Sequence, residues 1–178
     1  KELLSLFDPT FRSRPLFKGK RLREFLESFS KGRRISDFGT KMKIVAARKE
    51  HGHSLVIADE NSLISDAVMA SCALPAFFPD YNGLIDGGFN TIVPVNVLDP
   101  NNFRIASNVY SDISYGNLSQ WYKDKYYFSI LRQFQRTRME SSIADKVVEY
   151  NMRDIPVIAF HRYKEIMEIG YNHCKEIL

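Results

Sequence analysis

The tripeptide Asp86-Gly87-Gly88 constrains this chain more than any other feature, because an acid followed by two glycines closes a short apolar strand and lets the backbone fold tightly around one carboxylate. The stretch around it, Ser62 to Val95, reads SLISDAVMASCALPAFFPDYNGLIDGGFNTIVPV. Ser62 is placed to cap a helix. Ile64, Ala67, Val68 and Ser71 then recur at helical spacing on a narrow face of mostly small side chains, and Pro75 stops the run. Tyr81-Asn82-Gly83 reads as a turn, Leu84-Ile85 as a short buried strand, and Asp86 follows at its carboxyl end. In an open α/β sheet that is where ligands and catalytic groups collect. Taken alone, an Asp before Gly is more often a turn residue that accepts backbone hydrogen bonds.

The rest of the chain alternates strands with helices. Glu2 to Phe7 reads as the end of a helix stopped by Asp8-Pro9, and Lys20 to Ser30 as a helix with Gly32 as its stop. Lys41 to Arg48 and Ser54 to Ala58 read as strands, the first dense enough in apolar residues to be buried on both faces. Phe103 to Tyr110 is a further strand and 111 to 120 a loop. Trp121 to Tyr150 carries a helical pattern, with Ile143, Val147 and Tyr150 as a second stripe after a break near Arg138 to Ser142. Val157 to Phe160 reads as a short strand, and Tyr163 to Leu178 as a closing helix with Ile166, Ile169, His173 and Ile177 inward. That alternation predicts an α/β fold with a largely parallel sheet.

With 178 residues, 44% apolar and 13% aromatic, the chain fits one domain, 1–178, with a sizeable core. No run approaches the about 18 to 20 apolar residues of a membrane span. Cys72 and Cys174 are too few for a disulfide framework, and no Cys or His pair has ligand spacing, so neither a metal site nor a cofactor is expected. Residues 1 to 49 carry 14 Lys and Arg against 5 acids. Such a segment is a solvated surface, a contact with an anionic membrane, or a nucleic-acid patch. Leu22, Phe25, Leu26 and Phe29 lie at helical spacing within it and read most simply as a core-facing stripe.

Ala70-Ser71-Cys72-Ala73-Leu74-Pro75, Phe78-Pro79, Asp86-Gly87-Gly88 and Val93-Pro94-Val95 resemble, in order and spacing, the patatin-like phospholipase family. Leu16-Phe17-Lys18-Gly19-Lys20 with Leu22 resembles its turn before a helix, and Ile169-Gly170-Tyr171 its last helix. Two positions depart: Ile92 stands where the family usually has Asn, and Asp80 where a second Pro often follows Phe-Pro. The resemblance implies a three-layer α/β/α sandwich with a mostly parallel central sheet. It also implies a lipid acyl hydrolase acting on lipid or phospholipid esters through a serine–aspartate dyad with no histidine between. Asp86 is then the catalytic aspartate, Gly87 and Gly88 shape its turn, and Pro75, Phe77 and Phe78 wall an acyl pocket. His51, His53, His161 and His173 have no counterpart in that scheme.

A serine nucleophile in such a sheet needs a Gly-x-Ser-x-Gly elbow. The nearest match, Gly52-His53-Ser54-Leu55-Val56, has Val56 at the second glycine and precedes a strand, so Ser54 reads as a hairpin residue. In the family the elbow and a glycine-rich oxyanion loop precede the region matched here, so the expectation is a patatin-like domain incomplete at its N-terminus and inactive alone. Two alternatives stand beside it: a non-catalytic lipid-binding or scaffold relative, and a basic nucleic-acid-binding module. The last lacks any motif, so no nucleic acid is expected. The expected location is cytoplasmic or peripheral to a membrane.

Overall fold

The computed structural model describes residues 3–10, 15–39, 41–50, 54–109, 120–150, 155 and 160–177. The chain divides into two compact units, Lys1–Thr91 and Ile92–Leu178, each with a small sheet of its own. The fold is mixed α/β.

In the first unit β1 (Val45–Arg48) lies between β2 (Leu55–Ile57) and β3 (Leu84–Asp86) and runs antiparallel to both. The largely parallel sheet expected from the sequence is not what these three strands form. A parallel pair needs a crossover of a dozen or more residues, and β1 and β2 are joined by a short hairpin in which Arg48 N–H donates to the Ser54 carbonyl at 2.9 Å. As the central strand, β1 is covered on both faces: Ala46 and Ala47 point oppositely and both are buried. The Asn82-Gly83 turn is present as expected. Both residues take positive φ, 53° and 74°, and Tyr81 and Leu84 exchange backbone hydrogen bonds, a two-residue turn whose twist matches its strands.

Two helices complete this unit. α1 (Lys20–Ser30) packs on α2 (Ile64–Ser71), which packs in turn on β1 and β3. Enclosed on two sides, α2 buries Ser65, Ala67, Met69 and Ala70 and leaves Ile64, Val68 and Ser71 half-buried, so the narrow inward face read from the sequence is too narrow. Ser62 does not cap it: Leu63 holds the cap position and no side chain bonds the helix start. α1 is capped from a distance. The Asp8 carboxylate accepts the N–H groups of Gly19, Lys20 and Arg21 at 2.8, 2.9 and 3.3 Å, a role hidden in the reading of Asp8-Pro9 as a helix stop. The stripe of four apolar residues on α1 also divides. Leu22 and Leu26 turn inward, whereas Phe25 and Phe29 are 45% and 69% exposed.

In the second unit β4 (Ile105–Asn108) and β5 (Lys146–Glu149) pair in parallel, and α3 (Gln120–Ser141) lies in the connection between them, the arrangement parallel strands require. The helical pattern read through to Tyr150 therefore ends early. The break near Arg138 to Ser142 is real, but Ile143 and Val147 do not form a second helical stripe. Residues 146–149 pair as a strand because β4 offers them a complete ladder, and Val147 packs on the core of Val93, Val95 and Ala106. Glu140 ties α3 to the start of the unit: one of its oxygens accepts Ile92 and Val93 N–H at 2.8 and 2.9 Å, and the other meets Arg136 at 2.8 Å. The loop at Ile92 is thus held through its backbone. α4 (Tyr163–Ile177) half-buries Ile166, Ile169, His173 and Ile177 as expected. The strand expected at Val157 to Phe160 lies mostly outside the described residues.

Candidate active site

Asp86 is the last residue of β3, and two hydrogen bonds and a turn set its carboxylate. Its N–H donates to the Ala73 carbonyl just beyond α2 at 3.1 Å, tying strand end to helix end. Its Oδ1 accepts Gly88 N–H at 2.7 Å, and the chain leaves in a single 3-10 turn, Gly87–Phe89. Neither glycine is there for positive φ. A Cβ on Gly87 would stand 2.9 Å from the Val45 carbonyl oxygen on β1, and a Cβ on Gly88 would stand 3.0 Å from Asp86 Oδ1. The first glycine lets the turn lie against the sheet, and the second lets the carboxylate fold onto the turn.

The other oxygen, Oδ2, has no hydrogen-bond or ion-pair partner among the described residues, and the side chain is half-buried. The negative charge reaches Cys72 at the end of α2. Neighbouring protein first, and the Asp86 charge second, push that thiol up from its ordinary value even though the residue as a whole is exposed. A carboxylate with one oxygen fixed and one open is a proton acceptor held in a defined direction.

Strand alternation places Leu84 and Asp86 on one face of β3, and Ala46, directly opposite Asp86, on the same face of β1. That face borders a cavity of about 320 Å³ beneath α2, lined by Ala46, Val56, Ala67, Ala70 and Leu84. Asp66 and Tyr81 supply its polar edge, with Tyr81 O–H donating to Asp66 at 2.5 Å. Burial, and then the hydrogen bond to Asp66, raise the Tyr81 pKa, so Tyr81 is the donor in that pair. Asp86 stands two residues beyond Leu84 and outside the cavity wall. Period-two reading of Leu84-Ile85-Asp86 would have put Leu84 and Asp86 on one face. Nothing local could have paired Asp66 with Tyr81, 15 residues apart.

A patatin-like phospholipase family model matches residues 2–107. The chain belongs to that family. The matched span contains Asp86-Gly87-Gly88 and the Ala70 to Pro75 segment that ends against it. A comparison with curated proteins finds no match. The patatin-like family generally comprises lipid acyl hydrolases.

Of the site residues read from the sequence, Asp86, Gly87 and Gly88 come together in one turn. Pro75 is half-buried in the loop after α2. Phe77 and Phe78 belong to an aromatic cluster with Phe7 and Phe17: Phe78 lies 6.3 Å from Phe7 and 5.6 Å from Phe17 by ring centroids, and Phe77 lies 6.5 Å from Phe17. Leu16 and Phe17 N–H bond the Ala76 and Phe77 carbonyls, so that cluster is sewn to the segment before α1. Asp80, at the position where the family often has Pro, forms an exposed ion pair with Lys49 at 2.6 Å that fastens the turn before β3 to the end of β1. Ser54 is beyond reach of Asp86. It immediately precedes β2, two strands from β3 and two residues out of register with Asp86, and two strand spacings alone amount to about 10 Å. His161 is exposed, His173 packs on Tyr150 at 5.7 Å, and His51 and His53 lie outside the described residues. Among the described residues no group of three His, Cys, Asp or Glu could hold a metal.

Proposed function

We propose that this chain carries the aspartate half of a serine–aspartate dyad in a lipid acyl hydrolase, with Asp86 as general base. The observation that carries the reading is the state of its carboxylate: Oδ1 held by Gly88 N–H, Oδ2 unengaged among the described residues, at a strand end beside an apolar cavity. In the proposed reaction Asp86 takes the proton of a serine hydroxyl as that oxygen attacks the ester carbonyl, and returns it to the departing alcohol. The serine and its oxyanion donors come from a Gly-x-Ser-x-Gly elbow and a glycine-rich loop, neither of which occurs in these 178 residues. Pro75, Phe77 and Phe78 enter as an apolar wall buttressed by Phe7 and Phe17. The cavity beneath α2 adds room worth about ten water volumes. The three-layer α/β/α sandwich, a single domain over 1–178, and a cytoplasmic or peripheral-membrane location belong to the same reading.

The test joins this chain to a serine elbow and replaces the base. Asp86→Asn lowers turnover of a lipid ester about 10² to 10⁴-fold while the circular dichroism spectrum and melting midpoint stay put. Near-native turnover in that variant removes Asp86 from the chemistry. The 178-residue chain by itself neither turns over an ester nor is labelled at Ser54 by a serine-directed phosphonate. If the joined protein binds lipid without turnover, the non-catalytic lipid-binding reading takes its place.

A further inference from the structure

Phe25 and Phe29 are stacked on one another, centroids 6.0 Å apart at 19°, on a surface where an apolar pair has no evident cover. They are exposed because α1 spends its inward stripe on Leu22 and Leu26, and the two rings fall on the flank. Together with Ser28, Lys31 and Arg33 they line an open hollow of about 680 Å³. The arginine side chains around it are held by neutral groups. Arg33 donates to the Ser30 carbonyl and lies 5.1 Å over the Phe38 ring, the Arg34 side chain donates to the Asn61 carbonyl, and no acidic side chain forms an ion pair with Lys31, Arg33 or Arg34 among the described residues, the nearby Asp37 carboxylate accepting the Arg34 backbone N–H at 2.7 Å instead. By contrast, Arg23 and Lys20 on the same helix are matched by Glu27 and Glu24. Residues 15 to 39 hold seven Lys and Arg against three acids.

We infer that this hollow is an interfacial anchor for an anionic lipid bilayer, with the Phe25–Phe29 pair entering the headgroup–acyl boundary and Lys31, Arg33 and Arg34 meeting lipid phosphates. Aromatic rings flanked by cations match that boundary in both polarity and sign, and neither half suffices: apolar contact holds the chain, and charge selects the membrane. A second copy of the chain is a poor occupant, because a two-fold contact through this patch sets its unpaired cations against their own copies. Single-stranded nucleic acid fits less well, since bases stack on free aromatic faces and here the two faces are turned on each other. The anchor deepens the lipid-hydrolase reading but does not depend on Asp86.

The test uses the full chain carrying Trp121→Phe and Phe29→Trp, so that the only indole reports from the hollow, with vesicles of ether-linked phosphatidylcholine with or without ether-linked phosphatidylserine. Ether lipids cannot be hydrolysed, so a negative result bears on the anchor alone and leaves Asp86 untouched. The expected result is a blue-shifted emission, shielded from acrylamide in the water, only with phosphatidylserine present. Replacing Lys31, Arg33 and Arg34 by Gln should lower the partition coefficient about a hundredfold, about fivefold for each cation, and added salt should do the same to the parent chain. In a chain retaining Trp121, Phe25→Ser with Phe29→Ser should lower it about tenfold or more in a sedimentation assay. An indole that stays solvent-exposed on bound vesicles, or binding indifferent to the two phenylalanines, overturns the anchor. So does emission that shifts with protein concentration in the absence of lipid, which identifies a second copy, or tighter binding to a DNA oligomer than to the vesicles.

Discussion

Asp86 and Glu140 are both carboxylates that accept backbone N–H groups, yet they are left in opposite states. Glu140 is saturated: Ile92 and Val93 N–H occupy one oxygen and Arg136 the other, with 18% of the side chain exposed. Asp8 is of the same kind, spending both oxygens on the three N–H groups that open α1. Asp86 spends one oxygen on its own turn and keeps the second. A carboxylate with both oxygens engaged by structure contributes to stability. One that is half-spent is oriented and still available to a proton, which is the condition a general base must meet.

That contrast can be broken by substitution, and the effects should separate by readout as well as by size. The largest is the loss of about 10² to 10⁴ in turnover for Asp86→Asn in an elbow-bearing protein, with stability unchanged. Glu140→Ala should act the other way round. It strips a charged acceptor from two backbone donors, and a cost of about 2–3 kcal/mol in urea unfolding follows from hydrogen bonds to a charged group. An unchanged urea midpoint would show that water replaces Glu140 without loss.

Gly87→Ala sharpens the comparison from the side of the sheet. The added methyl carbon meets the Val45 carbonyl at 2.9 Å, so strand or turn must move, at about 1–3 kcal/mol. Because the turn carries Asp86, turnover should fall along with stability, whereas Glu140→Ala should leave the intrinsic rate of the folded fraction in place. A Gly87→Ala chain as stable as its parent would mean that the turn has more room than the contact allows.

Asp8→Ala is the smallest, about 1 kcal/mol in thermal unfolding, as for other lost helix caps. Its pH dependence has a definite sign. Partial burial works to raise the Asp8 pKa, but the N–H groups of Gly19, Arg21 and Lys20 outweigh it and hold it below the ordinary 3.8. A depressed folded-state pKa stabilises fully above the unfolded value, and that stabilisation is lost as pH falls through the folded one. The difference between parent and Asp8→Ala chains should therefore be constant near neutrality and close below about pH 3.8. A difference that grows on acidification would assign the cap to another group.

Local chemistry carried much of what the sequence determined by itself. Asn82-Gly83 can only be a tight turn of positive φ, Leu84-Ile85-Asp86 must end in one, and α1 and α4 announce themselves by period; each depends on residues within a few positions of one another. The resemblance that led to the family rests on an ordered set of short motifs, of which those from Leu16 to Val95 lie within the matched residues 2–107 and Ile169-Gly170-Tyr171 lies outside them. What the tertiary structure decided depends on partners far along the chain. Lys146-Val147-Val148-Glu149 becomes a strand because β4 lies alongside, and β1 and β2 pair antiparallel because their link is too short to cross over. Asp8 becomes a cap through a segment 11 to 13 residues away, and Glu140 through one 47 to 48 residues away. Phe25 and Phe29 share the helical spacing of Leu22 and Leu26, so periodicity cannot distinguish them. Only the position of α2 against α1 determines which of the four lose water and which two remain on the surface.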